Sequence, residues 1–242
     1  MLPKIIDYLK DKSVLILGFG REGQSTLSYI KKHLPEKELT VADKNKVTPD
    51  GENIKTVCGE NYLDCVNDFD VVMKSPGISF RDVEVNENTE VTCQVDMFLR
   101  FADCHKVGIT GSKGKTTTST LTYKMLKAAG KDARLIGNIG VPVFEALESV
   151  TPDTYAVIEM SSHQLEFTHA SPEVAILTNI YEEHLDHYKG GFTGYVNAKL
   201  HIMNYQNENN TFIYNADQGV SEYVKLDSTK AEKIGVSVND RL

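Results

Sequence analysis

An apolar run that ends in a glycine-rich loop and continues as a helix leaves a chain few ways to fold, and this sequence contains that unit twice. Val14 to Leu17 leads into Gly18-Phe19-Gly20-Arg21-Glu22-Gly23, and Lys106 to Thr110 leads into Gly111-Ser112-Lys113-Gly114-Lys115-Thr116. A strand that is apolar without alternation reads as buried on both faces, so helices must cover it. Further strands are expected at 38–43 and 70–75 after the first unit, and at 155–159, 174–179, 211–214 and 233–238 after the second. Alternating strands and helices imply an α/β chain with mostly parallel sheets and right-handed crossovers. A helix from Gln24 sets Leu27, Ile30 and Leu34 on one face and ends at Pro35. The helix behind the second loop sets Leu121, Met125 and Ala128 on one face and stops at Gly130. A boundary near Cys93 divides the chain into 1–93 and 94–242.

Composition narrows the class. Hydrophobic residues are 40% and charged ones 25% of 242 residues, a globular rather than a disordered balance. A formal charge of −8 argues against a nucleic-acid partner, whose binders normally show a basic excess or stripe. No apolar run approaches the roughly 20 residues of a membrane span, and the charges in "MLPKIIDYLKDK" make a poor signal peptide. The four cysteines have no CxxC spacing, which fits reduced thiols and a cytoplasmic chain.

Each loop suggests its own chemistry. Gly18 to Gly23 matches G-x-G-x-x-G between a strand and a helix, and Asp43 stands at the next strand tip. Such a turn brings backbone and a helix N-terminus close to a diphosphate, and Asp43 can accept hydrogen bonds from a ribose or a uracil. The motif does not separate NAD from other nucleotide diphosphates, and a purely structural turn is the bland alternative. The second loop presents successive amides to an anion, with Lys115 reaching β- and γ-phosphates and the Thr116 hydroxyl on Mg²⁺. Ile109 stands where the usual form of that loop has its first glycine. Lys113 reads as a solvated charge beside it. Glu159 ends one strand and can hold Mg²⁺; Glu182, Glu183, His184, Asp186 and His187 follow Asn179. On a helix from Tyr195 to Asn204, Lys199 falls inside the stripe of Val196, Leu200 and Met203. Burial there would lower its pKa and free the amine to act as a nucleophile or to combine with CO₂; snorkelling to water is the alternative.

The stretches "ILGFGREGQS", "VADKN", "KSPGIS", "VGITGSKGKTTT", "IGNIGVP", "IEMSSHQLE", "NIYEEHLDHY" and "YVNAKLHIM" together resemble the Mur ligases of peptidoglycan synthesis. The pairing of "GNIG" with "EMSSHQLE" points to their D-glutamate-adding branch. The resemblance implies a Rossmann-like N-terminal domain followed by a P-loop ATPase-like central domain. It implies that the first turn holds the UDP of UDP-N-acetylmuramoyl-L-alanine rather than NAD, through Gly20, Arg21, Glu22, Asp43 and Lys44, with Ser75, Pro76 and Gly77 along the UDP-sugar and Asn138 and His184 on the substrate. ATP would lie on Gly111, Ser112, Lys113, Gly114, Lys115, Thr116 and Thr117. Two Mg²⁺ would involve Thr116, Glu159, His184 and a carbamylated Lys199. Lys115, His184 and Lys199 would carry the catalysis, which joins D-glutamate to the substrate through an acyl phosphate. A monomer is expected.

Asn45 stands where the family often has an arginine, and Glu183 where it has an aspartate. The family's third, amino-acid-binding domain and its adenine-holding motif do not lie within these residues. "KIGVSVNDRL" also reads as a strand entering an Asn-Asp turn and stopping, so a fragment without turnover of its own is expected. The rival readings are an NAD-dependent oxidoreductase and a non-catalytic nucleotide-binding module.

Overall fold

The computed structural model describes residues 3–139, 141–217 and 229–239. Two parallel sheets follow one another along the chain. The first contains β1 (Val14–Leu17), β2 (Leu39–Asp43), β3 (Ile54–Cys58), β4 (Val71–Lys74) and β5 (Glu90–Thr92) in the order β3-β2-β1-β4-β5. The central β1 and β4 are buried at every residue, as their unbroken apolar runs require. The second contains β6 (His105–Thr110), β7 (Ala133–Gly137), β8 (Tyr155–Glu159), β9 (Val174–Leu177), β10 (Thr211–Asn215) and β11 (Glu232–Val236), ordered β11-β10-β9-β6-β8-β7. The helices are α1 (Lys4–Leu9), α2 (Arg21–His33), α3 (Gln94–Phe101), α4 (Lys115–Ala128), α5 (Val143–Ala146), α6 (Ser162–Leu165) and α7 (Phe192–Asn204). The α/β class and the parallel sheets are as the alternation of elements implied.

In both sheets the strand order reverses beside the glycine loop. The Gly18 turn leaves β1 next to the end of β4, and the Gly111 loop leaves β6 between β8 and β9. Loops on adjacent strands that turn opposite ways open a crevice at the carboxyl ends, the usual place for a ligand in such sheets.

Several local expectations need correction. Helix α2 begins at Arg21, not Gln24, because Gly20 serves as its N-cap and already accepts from the Gln24 amide at 3.0 Å. Leu34 is its C-cap and only half-buried. The strand expected at 174–179 ends at Leu177, since Thr178 and Asn179 bend away to hold the Gly111 loop. Strands β3, β5 and β7 were unread: β3 carries Lys55 and Thr56 on an exposed edge, β5 is only three residues long, and β7 breaks its apolar run with Arg134.

The stripe assigned to α4 is also wrong. Leu121 is 55% and Met125 71% exposed, and the residues turned to the sheet are Ser119, Thr122, Tyr123 and Leu126 at i, i+3, i+4 and i+7. Gly130 does end the helix. At φ +74° it donates to Lys127 O at 3.0 Å while Lys131 N reaches Leu126 O at 3.0 Å, the two bonds of a Schellman motif. The final Asn-Asp turn includes Asp240, which lies outside the described residues.

One hydrophobic core runs through both halves, with α3 as the shared wedge: Val95, Met97 and Phe98 join Ile6 and Val14 on one side to Phe144 and Ile158 on the other. Fully burying a side chain of this size contributes about 1.5–3 kcal/mol, so the two sheets are bound by apolar contact as well as by chain connection. Next to this wedge, buried Asp96 accepts from Thr92 Oγ1 at 2.8 Å and from the His169 amide at 2.6 Å, with Arg100 at 3.3 Å.

Candidate functional site

At the first turn, Gly18 sits at φ +86° between β1 and β4, and Ser75 Oγ donates to its carbonyl at 2.9 Å. Gly23 is held by contact: a Cβ there would lie 2.0 Å from Gly18 O. The first-turn amides of α2 have no intrahelical acceptor and face the crevice. Asp43 is committed to this turn. One carboxylate oxygen accepts from Phe19 N at 2.8 Å and the other from Asn45 N at 2.8 Å, which leaves each with a free lone pair toward a ligand. Lys44 is exposed and pairs with Glu60 at 3.3 Å. Pro76 and exposed Gly77 continue past Ser75 at the rim, and Gly20 and Arg21 are exposed on the other side. Glu22 points elsewhere: its Oε1 accepts from Gln164 Nε2 of the second half at 3.0 Å, and its own carbonyl accepts from Gln94. Burial raises its pKa, partly offset by that bond and by Lys74.

The second loop is braced from below by the end of β9. Asn179 accepts from Ser112 N through its carbonyl (3.0 Å) and from Lys113 N through Oδ1 (2.7 Å), while Thr178 Oγ1 donates to Lys113 O at 2.6 Å. Gly111 cannot be larger, because a Cβ would lie 1.9 Å from Thr178 Oγ1. Ser112 Oγ lies 2.7 Å from Tyr195 Oη and accepts from Tyr181 N at 2.8 Å. Those bonds consume the amides of Ser112 and Lys113. The donors that remain for an anion are the first-turn amides around Lys115, Thr116 and Thr117, behind the left-handed Gly114 N-cap. Lys115 Nζ rests on the carbonyls of Gly111 (2.8 Å) and Ser112 (2.9 Å), at the mouth of this cradle. Lys113 is exposed and pairs with Glu183.

Lys199 is 1% exposed, in the centre of the buried face of α7 with Tyr195, Ile202 and Met203; Leu200, assigned to that face, is only half-buried. Its Nζ donates to Gly111 O at 2.9 Å, so two lysine amines share one carbonyl oxygen. Burial, then Lys115, push its pKa down to about 7, with Glu183 opposing. The amine is therefore substantially neutral near neutral pH, as combination with CO₂ requires.

Glu159 is 1% exposed at the end of β8, where its carboxylate accepts from Asn138 Nδ2 at 3.0 Å and lies 3.4 Å from Ser119 Oγ. Both partners are neutral, and among the described residues no lysine, arginine or histidine pairs with it. A buried carboxylate without counter-charge, linked to the start of α4 through Ser119, is a hard-oxygen ligand suited to Mg²⁺. His184, exposed at φ +53°, lies with its ring 4.8 Å from His163.

The structure thus gathers Gly111 to Thr117, Glu159 at the end of β8, Asn138, Lys199 and the 179–184 loop around one crevice, and Gly18, Gly20, Asp43 and Ser75 around another. Sequence reading missed Thr178, Tyr195, Gln164, His163 and Lys74. Gln164 carried a legible signal: Ser161-x-x-Gln164 is a capping box, with both reciprocal bonds formed on α6. Lys74 carried another, a lysine closing an apolar strand.

The sequence model of the Mur ligase middle domain matches residues 109–241. A protein of Clostridium acetobutylicum named UDP-N-acetylmuramoylalanine–D-glutamate ligase is 32% identical over 238 residues, covering 93% of this chain and 51% of that protein. A protein of the same name from Clostridium kluyveri is 34% identical over 217 residues, covering 88% and 44%. The chain spans about half the length of these relatives. Among solved structures, the UDP-N-acetylmuramate:L-alanyl-gamma-D-glutamyl-meso-diaminopimelate ligase of Neisseria meningitides superposes with a TM-score of 0.52 at 17% identity, over 93% of this chain and 77% of that one, a likeness of fold.

Proposed function

The chain belongs to the Mur ligase family, and from that premise we propose that it carries the UDP-substrate and ATP sites of a ligase joining D-glutamate to UDP-N-acetylmuramoyl-L-alanine. The observation that carries this reading is the pair of glycine turns, each leading into a helix N-terminus at the carboxyl end of a sheet, one of them backed by a buried lysine and a buried carboxylate with no cationic partner among the described residues. The names of the relatives at 32–34% identity support the choice of D-glutamate. We assign 1–93 to the UDP-substrate domain and 94–242 to the ATP domain. We place the reaction in the cytoplasm, with the chain a monomer; among the described residues no helix is long and apolar enough to cross a membrane.

In this reading the Gly18 turn and the start of α2 hold the UDP diphosphate, with the free lone pairs of Asp43 on uracil or ribose, and Ser75, Pro76 and Gly77 along the sugar. Asn138 and His184 orient the peptide end. The alanyl carboxylate attacks the γ-phosphorus of ATP, the bond to the β-phosphate oxygen breaks, and ADP leaves. The amine of D-glutamate then adds to the acyl carbon, phosphate departs, and the amine's proton is lost to water. Lys115 turns from its loop carbonyls to the β/γ-phosphates, and the first-turn amides of α4 hold the oxygens on which charge gathers. Thr116, Glu159 and His184 would hold Mg²⁺, which neutralises phosphate charge. Carbamylation would convert Lys199 from a cation to an anion beside Lys115, completing a second cation site.

Calorimetric titration of the chain with UDP, with ADP plus Mg²⁺ and with NADH tests this. Expected are two separate single sites, one for UDP and one for ADP, and no NADH binding. NADH displaced by UDP, or no response to ADP, would overturn it.

A further inference from the structure

Lys74 closes β4 with its side chain 1% exposed, and its Nζ has no hydrogen-bond partner. Glu166 Oε2, also buried and unbonded, lies 3.8 Å away. His187 Nε2 stops 3.7 Å from the same oxygen and is unbonded too. Lys74 comes from the first sheet, and Glu166 and His187 from the second half. The rings of Phe80 and Phe167, one from each half, wall the ammonium at 5.6 and 5.4 Å. Two donors therefore converge on one acceptor across the junction, and each stops a few tenths of an ångström short of a hydrogen bond. Buried polar groups left unpaired are costly, so a small approach of the halves recovers part of that cost and offsets part of the work of closing.

Both ends of this contact lead to a site. Ser75, next to Lys74, donates its amide to Leu17 O at 2.8 Å and its hydroxyl to the Gly18 carbonyl. His187 ends the loop that begins at His184, and the first half grips that loop directly: Ser79 Oγ donates to His187 O at 2.6 Å and Arg81 to Asp186 O at 3.3 Å. Glu22, in the first turn of α2, meets Gln164 on α6.

We propose that Lys74 is a positioning residue that couples the two sites: a nucleoside diphosphate on the Gly18 turn draws Lys74, Glu166 and His187 into hydrogen-bonded contact and so sets the 184–187 loop beside the phosphate loop. This rests on the two-site reading above and adds that the sites communicate. Such coupling is reciprocal, each ligand tightening the other by the same factor, ~5-fold or more for an ordinary allosteric pair.

The test is calorimetry on the 242-residue chain, titrating UDP with and without ADP and Mg²⁺, and the reverse. The unsubstituted chain and Lys74→Arg should show coupling of ~5-fold or more. In Lys74→Met the factor should fall to about one, while each nucleotide alone binds nearly as before. The double variant Lys74→Met/Glu166→Gln, which leaves no unpaired buried charge, should lose coupling equally and serves if the single variant does not fold. A ring-signal shift of His187 on UDP addition, absent in Lys74→Met, is a readout that a merely structural lysine would not produce. Both nucleotides binding without coupling, or coupling that survives in the variants, overturns the proposal alone. Failure of either nucleotide to bind the unsubstituted chain overturns the two-site reading and this proposal with it.

Discussion

Replacing Lys199 by methionine should abolish the pH dependence that this one side chain gives the fold. Met keeps the length and apolar stem and removes the charge. In the folded chain Lys199 titrates near 7, driven down first by burial and then by Lys115, whereas in the unfolded chain it takes the ordinary lysine value of about 10.4. Between those two values the unfolded chain holds a proton that the folded chain has shed. Folding is therefore opposed most below the lower value, and stability rises with pH across the window. At about 1.4 kcal/mol per unit, the residue opposes folding by roughly 4 kcal/mol near neutrality, and by roughly 2 kcal/mol less two units higher. Urea unfolding followed by far-ultraviolet circular dichroism, in CO₂-free buffer at the two pH values, measures this; the chain has no tryptophan to follow. The parent should gain roughly 2 kcal/mol relative to Lys199→Met on going up, and the variant should be the more stable near neutrality. Equal pH slopes in parent and variant would show that burial does not hold Lys199 neutral, and the argument for its reaction with CO₂ would fall with it.

Gly111→Ala should weaken ADP binding at least ~10-fold (about 1.4 kcal/mol), because its Cβ would lie 1.9 Å from Thr178 Oγ1 and force the loop off β9; calorimetry with ADP and Mg²⁺ checks it, and unchanged affinity would refute the bracing role. Ser161→Ala removes the α6 capping box and should cost about 1 kcal/mol in urea unfolding. Asp96→Asn should cost ~3 kcal/mol, since it leaves Arg100 short of a partner and a buried network incomplete. Burial alone would raise the Asp96 pKa, but bonds from His169 and Thr92 more than offset it and hold it low. The stability it contributes is thus complete above the ordinary Asp value and fades as pH falls through the lower folded one, a loss that Asp96→Asn should not share.

The parallel sheets and the two glycine turns between strand and helix were legible in the chain because each is written locally. An apolar run of four to six residues, a glycine at a strained or crowded position and an amide-rich helix start all lie within about twenty residues, inside one strand-loop-helix unit. Lys199 was legible for the same reason, as a charge out of place on a helical stripe. Helical spacing failed at α4, where the sequence offers two neighbouring stripes and only the sheet beneath decides that Ser119 and Leu126, not Leu121 and Met125, face inward. The bracing of Gly111 by Thr178, the lone carbonyl shared by Lys115 and Lys199, and the meeting of Lys74 with Glu166 join residues 67 to 92 positions apart. No local rule ranks such pairings, because their energy exists only once loop closure has been met by the burial of a common core. The chain by itself determined where a strand, a glycine turn and a helix start would follow one another; the packing of β9, α3 and α7 decided which side chains stand behind those turns, and in which charge state.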